Sequence, residues 1–406
     1  MSGCGPLVME SLNGMIRMGA VGPKILQRIC CATRLPTSGV DNEGECMSHT
    51  EPWTHSRVFA GASRFGGDAP DHHRGGLFCL AEGAQQWERL GGGLPKATQV
   101  RAVAVDPSDP ATVWCGTEAG PYRSGDGGNS WELFPLPGQY RTVWSMGFDP
   151  QNHDRLYVGT APAAVYRSCG GGTQWELLEQ AAIPERLDMG FPTRLISLAV
   201  NPLDPNDLWA GVEVGGMMHS VDGGFSWTDT TDALEALAAQ DRYKSRLFSD
   251  TEAEGMLDIH KVVLSAAAPG VAFIGLRMGI FRSDDGGTQW QSLDVGRFSP
   301  LTYCRDVRVS PHDPKVLYAA LSDESVGVQG HVYRSEDLGA SWQRFDCIEP
   351  PATSTMMQVA PSPTNPAELW CATRRGDVWA TFDGGASWQD FALPEGGRDI
   401  YTLVCG

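Results

Sequence analysis

One short phrase of residues recurs along this chain and limits what it can fold into. Ser124-Gly125-Asp126-Gly127-Gly128-Asn129-Ser130-Trp131 is the first complete copy. The same Ser-x-Asp-x-Gly-x-x-Trp order returns from Ser220 to Trp227, Ser283 to Trp290 and Ser335 to Trp342. Thr381 to Trp388 opens on Thr, Ser168 to Trp175 carries Gly170 in the Asp place, and Leu80 to Trp87 is a worn copy with Glu82 and Ala84. By difference of their numbers, the seven tryptophans stand 44, 44, 52, 63, 52 and 46 residues apart. A period in that range marks an array of supersecondary units.

Each unit holds four short apolar runs with turn signals between them. In the second unit a first run ends at Asp106-Pro107-Ser108-Asp109-Pro110. Thr112 to Gly116, Pro121 to Ser124 and Trp131 to Phe134 follow. Four such runs make one antiparallel sheet, and a ring of such sheets is a propeller. Asp bonds backbone amides inside a tight turn, Gly accepts its positive φ, and Trp fills the space between blades. The pattern predicts an all-β chain: a seven-bladed β-propeller of four-stranded antiparallel blades over residues 47–406. Arg57 to Ala62 reads as a second strand with no inner strand before it. The run Asp399 to Val404 has no blade of its own, so it is expected to join the first blade and close the ring.

The boxes Asp126/Trp131, Asp222/Trp227, Asp285/Trp290, Asp337/Trp342 and Asp383/Trp388 resemble the Asp-box, or BNR, repeat. That repeat occurs in sialidases, sortilin-type receptors, xyloglucanase-type glycosidases and photosystem II stability/assembly factors. The resemblance covers roughly residues 57–406. It implies that the boxes are structural and lie between the two outer strands of each blade, away from the ligand face.

Two connections are long, Glu176 to Thr193 and Asp229 to Leu257. The second carries Leu234, Leu237, Tyr243 and Leu247 among charged residues, which predicts an amphipathic helix starting near Asp232. Such a helix either overhangs the channel mouth as a lid or packs on the rim. Residues 1–46 stand outside the repeat. They are expected to be a disordered or non-native extension, with a basic transit peptide as the alternative.

Net charge of −18 argues against nucleic acid and against an anionic membrane surface. Eleven cysteines without a CxxC pair suggest reduced thiols. With no signal peptide or spanning segment recognised, a cytoplasmic monomer is expected.

Candidate chemistry gathers where the inner strands begin. Arg101, Arg141, Arg194, His260, Arg305 and Arg398 stand at or near those starts, and Arg277 and Arg374 lie in turns that reach the same face. A ring of guanidinium groups around a concave mouth suits a carboxylate or phosphate. The resemblance points the same way, since sialidases bind a carboxylate with three arginines at the propeller mouth. The first expectation is therefore an assembly-factor-like propeller that binds a small anionic ligand or a protein or peptide there, without turnover. The second is a glycosidase-type hydrolase acting on an anionic sugar, with Asp258, Asp306, Glu118, Glu213 and the phenols Tyr303 or Tyr401 as candidates. The sialidase Arg-Ile-Pro signature is absent, and sialidases have six blades. The third is a metal-assisted lyase or hydrolase using His72, His73 and His260 as ligands to a divalent metal. No cofactor motif is present.

Overall fold

The computed structural model describes residues 56–63, 75–138, 142–178, 186–246, 249–394 and 397–406. The expectations for residues 1–46, and those placed on His72, His73 and Arg141, fall outside this set.

Seven four-stranded antiparallel sheets make up the described residues. Blade 2 is representative. Val100–Asp106 is its innermost strand, followed outward by Asp109–Thr117, Gly120–Ser124 and Glu132–Leu133. The innermost strands of blades 3 to 7 are Thr142–Asp149, Arg194–Val200, Ile259–Leu264, Tyr303–Val309 and Met356–Pro361. The C-terminal strand Ile400–Cys405 is the innermost strand of blade 1 and pairs with Val58–Ala62, as the missing first strand required. Successive innermost strands touch in a closed cycle around the hub.

The repeated phrase forms the hairpin between the two outer strands. Ser124 Oγ donates to Asp126 Oδ1 at 2.7 Å and accepts from the Gly128 amide at 2.8 Å, while Asp126 Oδ1 accepts from the Ser130 amide at 2.9 Å. Gly127 and Gly128 have φ of 72° and 100°, angles that penalise a Cβ. Hairpins at Asp222, Asp285, Asp337 and Asp383 repeat these bonds.

Each tryptophan plugs the seam with the preceding blade. Trp175 meets Trp114 of blade 2 edge-on at 5.9 Å, Trp290 meets Trp209 of blade 4 at 5.9 Å, and Trp388 meets Phe345 of blade 6 at 6.1 Å. Trp87 of blade 1 donates its indole N–H to Phe391 O of blade 7, so the same rule runs across the closure.

The long connection after blade 4 holds the expected helix, Asp232–Ala238, with a 3-10 turn at Asp241–Tyr243 and a short helix at Glu254–Leu257. Leu234, Ala238, Tyr243, Met256 and Leu257 are buried in one cluster with Trp209, Ile259, Phe281 and Trp290. The insertion is a wedge between blades 4 and 5, and none of its described residues lines the central channel. The rim arrangement holds rather than the lid. Among the described residues no helix is long and apolar enough to cross a membrane.

Candidate binding site at the channel mouth

The hub is built by a repeated irregularity. Every innermost strand has a register shift near its start, which leaves one extra residue per blade: Arg101, Trp144, Ile196, His260, Arg305, Met357 and Tyr401. A bulge re-aims the side chain of its extra residue. All of these except Met357 line the central cavity, a narrow channel of about 80 Å³ to which all seven blades contribute.

Cations and aromatic rings alternate around this layer. The Arg101 and Arg194 guanidinium groups lie 4.6 and 4.5 Å from the Trp144 ring, and Arg194 also lies 3.7 Å from Phe191. Tyr401 meets Trp144 edge-on at 5.7 Å, and Arg305 stands 5.9 Å from Tyr401. Arg277 lies 5.5 Å from Tyr303 on the opposite arc.

The carboxylates at the mouth are already committed. Glu213 Oε2 accepts from Arg194 at 2.8 Å. Glu118 Oε2 accepts from the Gln99 amide at 2.9 Å. Asp258 Oδ2 takes both Arg277 at 3.0 Å and His260 Nε2 at 3.1 Å. Burial alone would raise the Asp258 carboxyl, but His260, Arg277 and Arg305 outweigh it and hold it well below the usual carboxylate range. It is a fixed anion, the opposite of the raised carboxyl that a general acid needs. His260 Nδ1 faces Cys304 O at 2.7 Å, and Tyr303 Oη stands 3.3 Å from Nε2. Both ring nitrogens thus face protein partners, and no group of three metal-binding side chains occurs among the described residues. Burial pushes the Tyr303 phenol up to about 12, far from the phenolate a nucleophile requires.

Two arginines, Arg101 and Arg305, have spare donors or none engaged among the described residues. Arg101 gives one bond to Gln99 Oε1 at 2.8 Å, while its buried Nε and Nη1 have no partner. Burial lowers its pKa. Arg374 shows the same lowering by burial, and Tyr303, Tyr401, Arg305 and Asp399 surround it. For Arg305, no hydrogen bond or ion pair occurs among the described residues. Burial opposes its charge, but Tyr303, Tyr401, Glu213 and Asp258 prevail and raise its pKa.

The expected ring is therefore only partly in register. Arg101, His260 and Arg305 occupy equivalent bulges, Arg194 stands before its bulge, and Arg398 is exposed and off the channel. Asp306 sits one residue deeper. Its carboxylate accepts from Arg308 Nε at 2.9 Å and from the Val359 amide at 3.1 Å. Sequence reasoning missed Trp144, Lys261, Arg308 and Gln358, all of which line the channel.

Fold and hub together define a seven-bladed β-propeller whose mouth is lined by cations and aromatic rings. Its similarity to known proteins runs to xyloglucanases. It is 26% identical over 242 residues to a xyloglucanase of Paenibacillus sp., covering 58% of this chain and 21% of that protein. It is 29% identical over 159 residues to xyloglucanase Xgh74A of Acetivibrio thermocellus, covering 31% of this chain and 19% of that protein. The matched stretch thus spans about a fifth of the length of these relatives. Among solved structures, the GH74 xyloglucanase of Xanthomonas campestris superposes with a TM-score of 0.54 at 21% identity, covering 74% of this chain and 46% of that one. An ancestral GH74 enzyme superposes with a TM-score of 0.53 at 17% identity, covering 78% and 39%. These structural likenesses establish the fold. No family profile matches the chain.

Proposed function

We propose that this Asp-box propeller is a binding protein whose mouth captures the carboxylate of a peptide, a protein segment or an acidic sugar. The observation that carries this reading is Arg305, a charged guanidinium between two tyrosines with no hydrogen-bonding or ion-pairing partner among the described residues. A planar fork of this kind accepts a carboxylate on two parallel bonds. The Arg101–Trp144–Arg194 stack offers an adjacent shelf for an aromatic or sugar ring. The mouth carboxylates being tied to their own donors favours binding over turnover.

The test is equilibrium binding of carboxylated peptides and uronic-acid oligosaccharides, set against their amidated or neutral counterparts. Arg305→Ala is expected to weaken carboxylate binding at least about tenfold, the worth of a charge-assisted bond. Equal binding by the variant would remove the reading. A second reading rests on the relatives named above: hydrolysis of a xyloglucan-like or acidic glycan. Release of reducing ends by the wild type, abolished in Asp258→Asn, would establish it in place of the first. We also place the protein in a reducing compartment, because its seven described cysteines are all free and Cys169 and Cys347 are exposed.

A further inference from the structure

After the bulge, the next residue of six innermost strands lines the channel, and in blade 4 it lies against blade 5 instead. In blade 4 this residue is Ser197, whose Oγ accepts from the Val262 amide of blade 5 at 2.9 Å. In blade 6 it is Asp306, which accepts from the Val359 amide of blade 7 at 3.1 Å. Both are acceptors that stitch one blade to the next. In blade 5 the equivalent residue is Lys261, which cannot accept a hydrogen bond. Its ammonium makes no hydrogen bond or ion pair among the described residues and lines the narrow channel with Arg101, Arg305 and Arg308. Lys261 thus places a cation where the adjoining blades 4 and 6 place acceptors, and it gains no partner among the described residues by doing so, a departure that packing does not require.

The charge around it is lopsided. Facing Lys261 are Arg305, Asp306 and Arg308 from blade 6, His260 from its own strand, Arg101 from blade 2 and Tyr401 from blade 1. Asp306 is the only carboxylate in this wall among the described residues, and Arg308 and the Val359 amide already occupy it. Cations outnumber carboxylates in this wall, and an anion from solution would offset their mutual repulsion. Donors converge from three blades, more directions than one planar carboxylate can satisfy, and the free space is small.

We propose that the channel beneath the mouth is a binding site for a tetrahedral oxyanion, sulfate or phosphate, free or as the ester end of a larger ligand, with Lys261 and Arg305 as its principal donors. This goes one layer beyond the mouth and would hold even if no carboxylate binds there. The site is pH-dependent. Burial and the flanking arginines Arg308 and Arg305 pull the Lys261 amine down to about 7 against the opposing pull of Asp306. Its charge, and with it the anion, is therefore lost as pH rises through that value.

The experiment is thermal denaturation and titration calorimetry of the full chain with sodium sulfate, matched in ionic strength by chloride. Sulfate keeps its charge from about pH 6 to about pH 9, which isolates the protein's titration. Wild type is expected to gain several degrees at pH 6 and progressively less toward pH 9. Lys261→Met keeps the stem and removes the stranded charge. It is expected to melt higher than wild type without sulfate, to bind sulfate at least about tenfold more weakly, and to lose the pH dependence. A sulfate shift in wild type no larger than with chloride, or one retained in Lys261→Met, overturns the proposal. Inorganic phosphate against a phosphorylated sugar separates a free ion from an ester end. Lys261→Met keeps Arg305 and the mouth, so it is expected to bind carboxylated peptides as wild type does while losing sulfate, and failure here and failure of carboxylate capture are distinguishable.

Discussion

Asp126 shows how one side chain can fix a turn in full contact with water. The Ser130 side chain and backbone, then Ser124, stabilise its ionised form and hold its pKa at about 2. Asp222 is held at about 2 by Ser226 in the same way, and Asp285, Asp337 and Asp383 are also lowered. A carboxylate whose folded pKa lies below its unfolded value adds stability above the unfolded value and loses it as pH falls. The boxes are therefore expected to weaken together as pH drops from about 4 to about 2. Melting curves of the Asp126→Asn/Asp222→Asn variant should show a lower Tm at neutral pH and a shallower fall across that window. An unchanged slope would mean the hairpins hold without their charges. These aspartates are legible in the chain because their bonds are local, made within four residues. Lys261 is not. Strict alternation along Ile259-His260-Lys261 sends His260 and Lys261 to opposite faces, whereas the bulge at His260 lets both reach the channel. Trp144 was hidden by the same device, since a bulged tryptophan reads like any other apolar strand residue.

Among the elements, the helix Asp232–Ala238 starts where its apolar spacing places it, yet its docking site depends on surfaces far away in sequence. Leu234, fully buried, drives into the seam between blades 4 and 5 beside Trp209 and Trp290. Leu234→Ala leaves a cavity there and should cost about 2 to 4 kcal/mol of unfolding free energy, read from the urea midpoint. Affinity at the mouth should stay within about twofold, because the wedge does not line the channel. A variant that keeps its stability but loses ligand would make the helix a lid after all. The innermost strands teach the same lesson about legibility. Their number and order follow from the repeat, whereas the shift that separates Arg305 from its strand neighbours follows from pairing with Leu317–Ser322, which no local pattern announces.

For the whole molecule, the decisive bond is the one between the chain's far ends. Val58 pairs with Cys405 and Ala60 with Leu403, the Gly406 amide donates to Arg57 O at 2.9 Å, and the Ser63 amide donates to Asp399 O at 3.0 Å. Ile400, Leu403 and Cys405 are buried with Trp370 and Phe382 of blade 7, so this one strand completes blade 1 and also seals the last seam. Ending the chain after Glu395 would strip that strand, expose the backbone of Val58–Ala62 as an edge and uncover the blade 7 face. The truncated protein is expected to be insoluble or oligomeric. A soluble, cooperatively melting product would show that the ring does not depend on its clasp. Because Cys405 lies opposite Val58 in an antiparallel pair, residues 397–406 can be returned to the truncated chain immediately ahead of Ser56 through a short glycine-containing turn, making a hairpin of what was a long-range pair. That relocation keeps every closing contact and shortens the loop it must close, so refolding should be faster and Tm within a few degrees of wild type. Refolding no faster than wild type, measured by stopped-flow fluorescence of the seam tryptophans, would place the slow step in the blades themselves rather than in joining the ends.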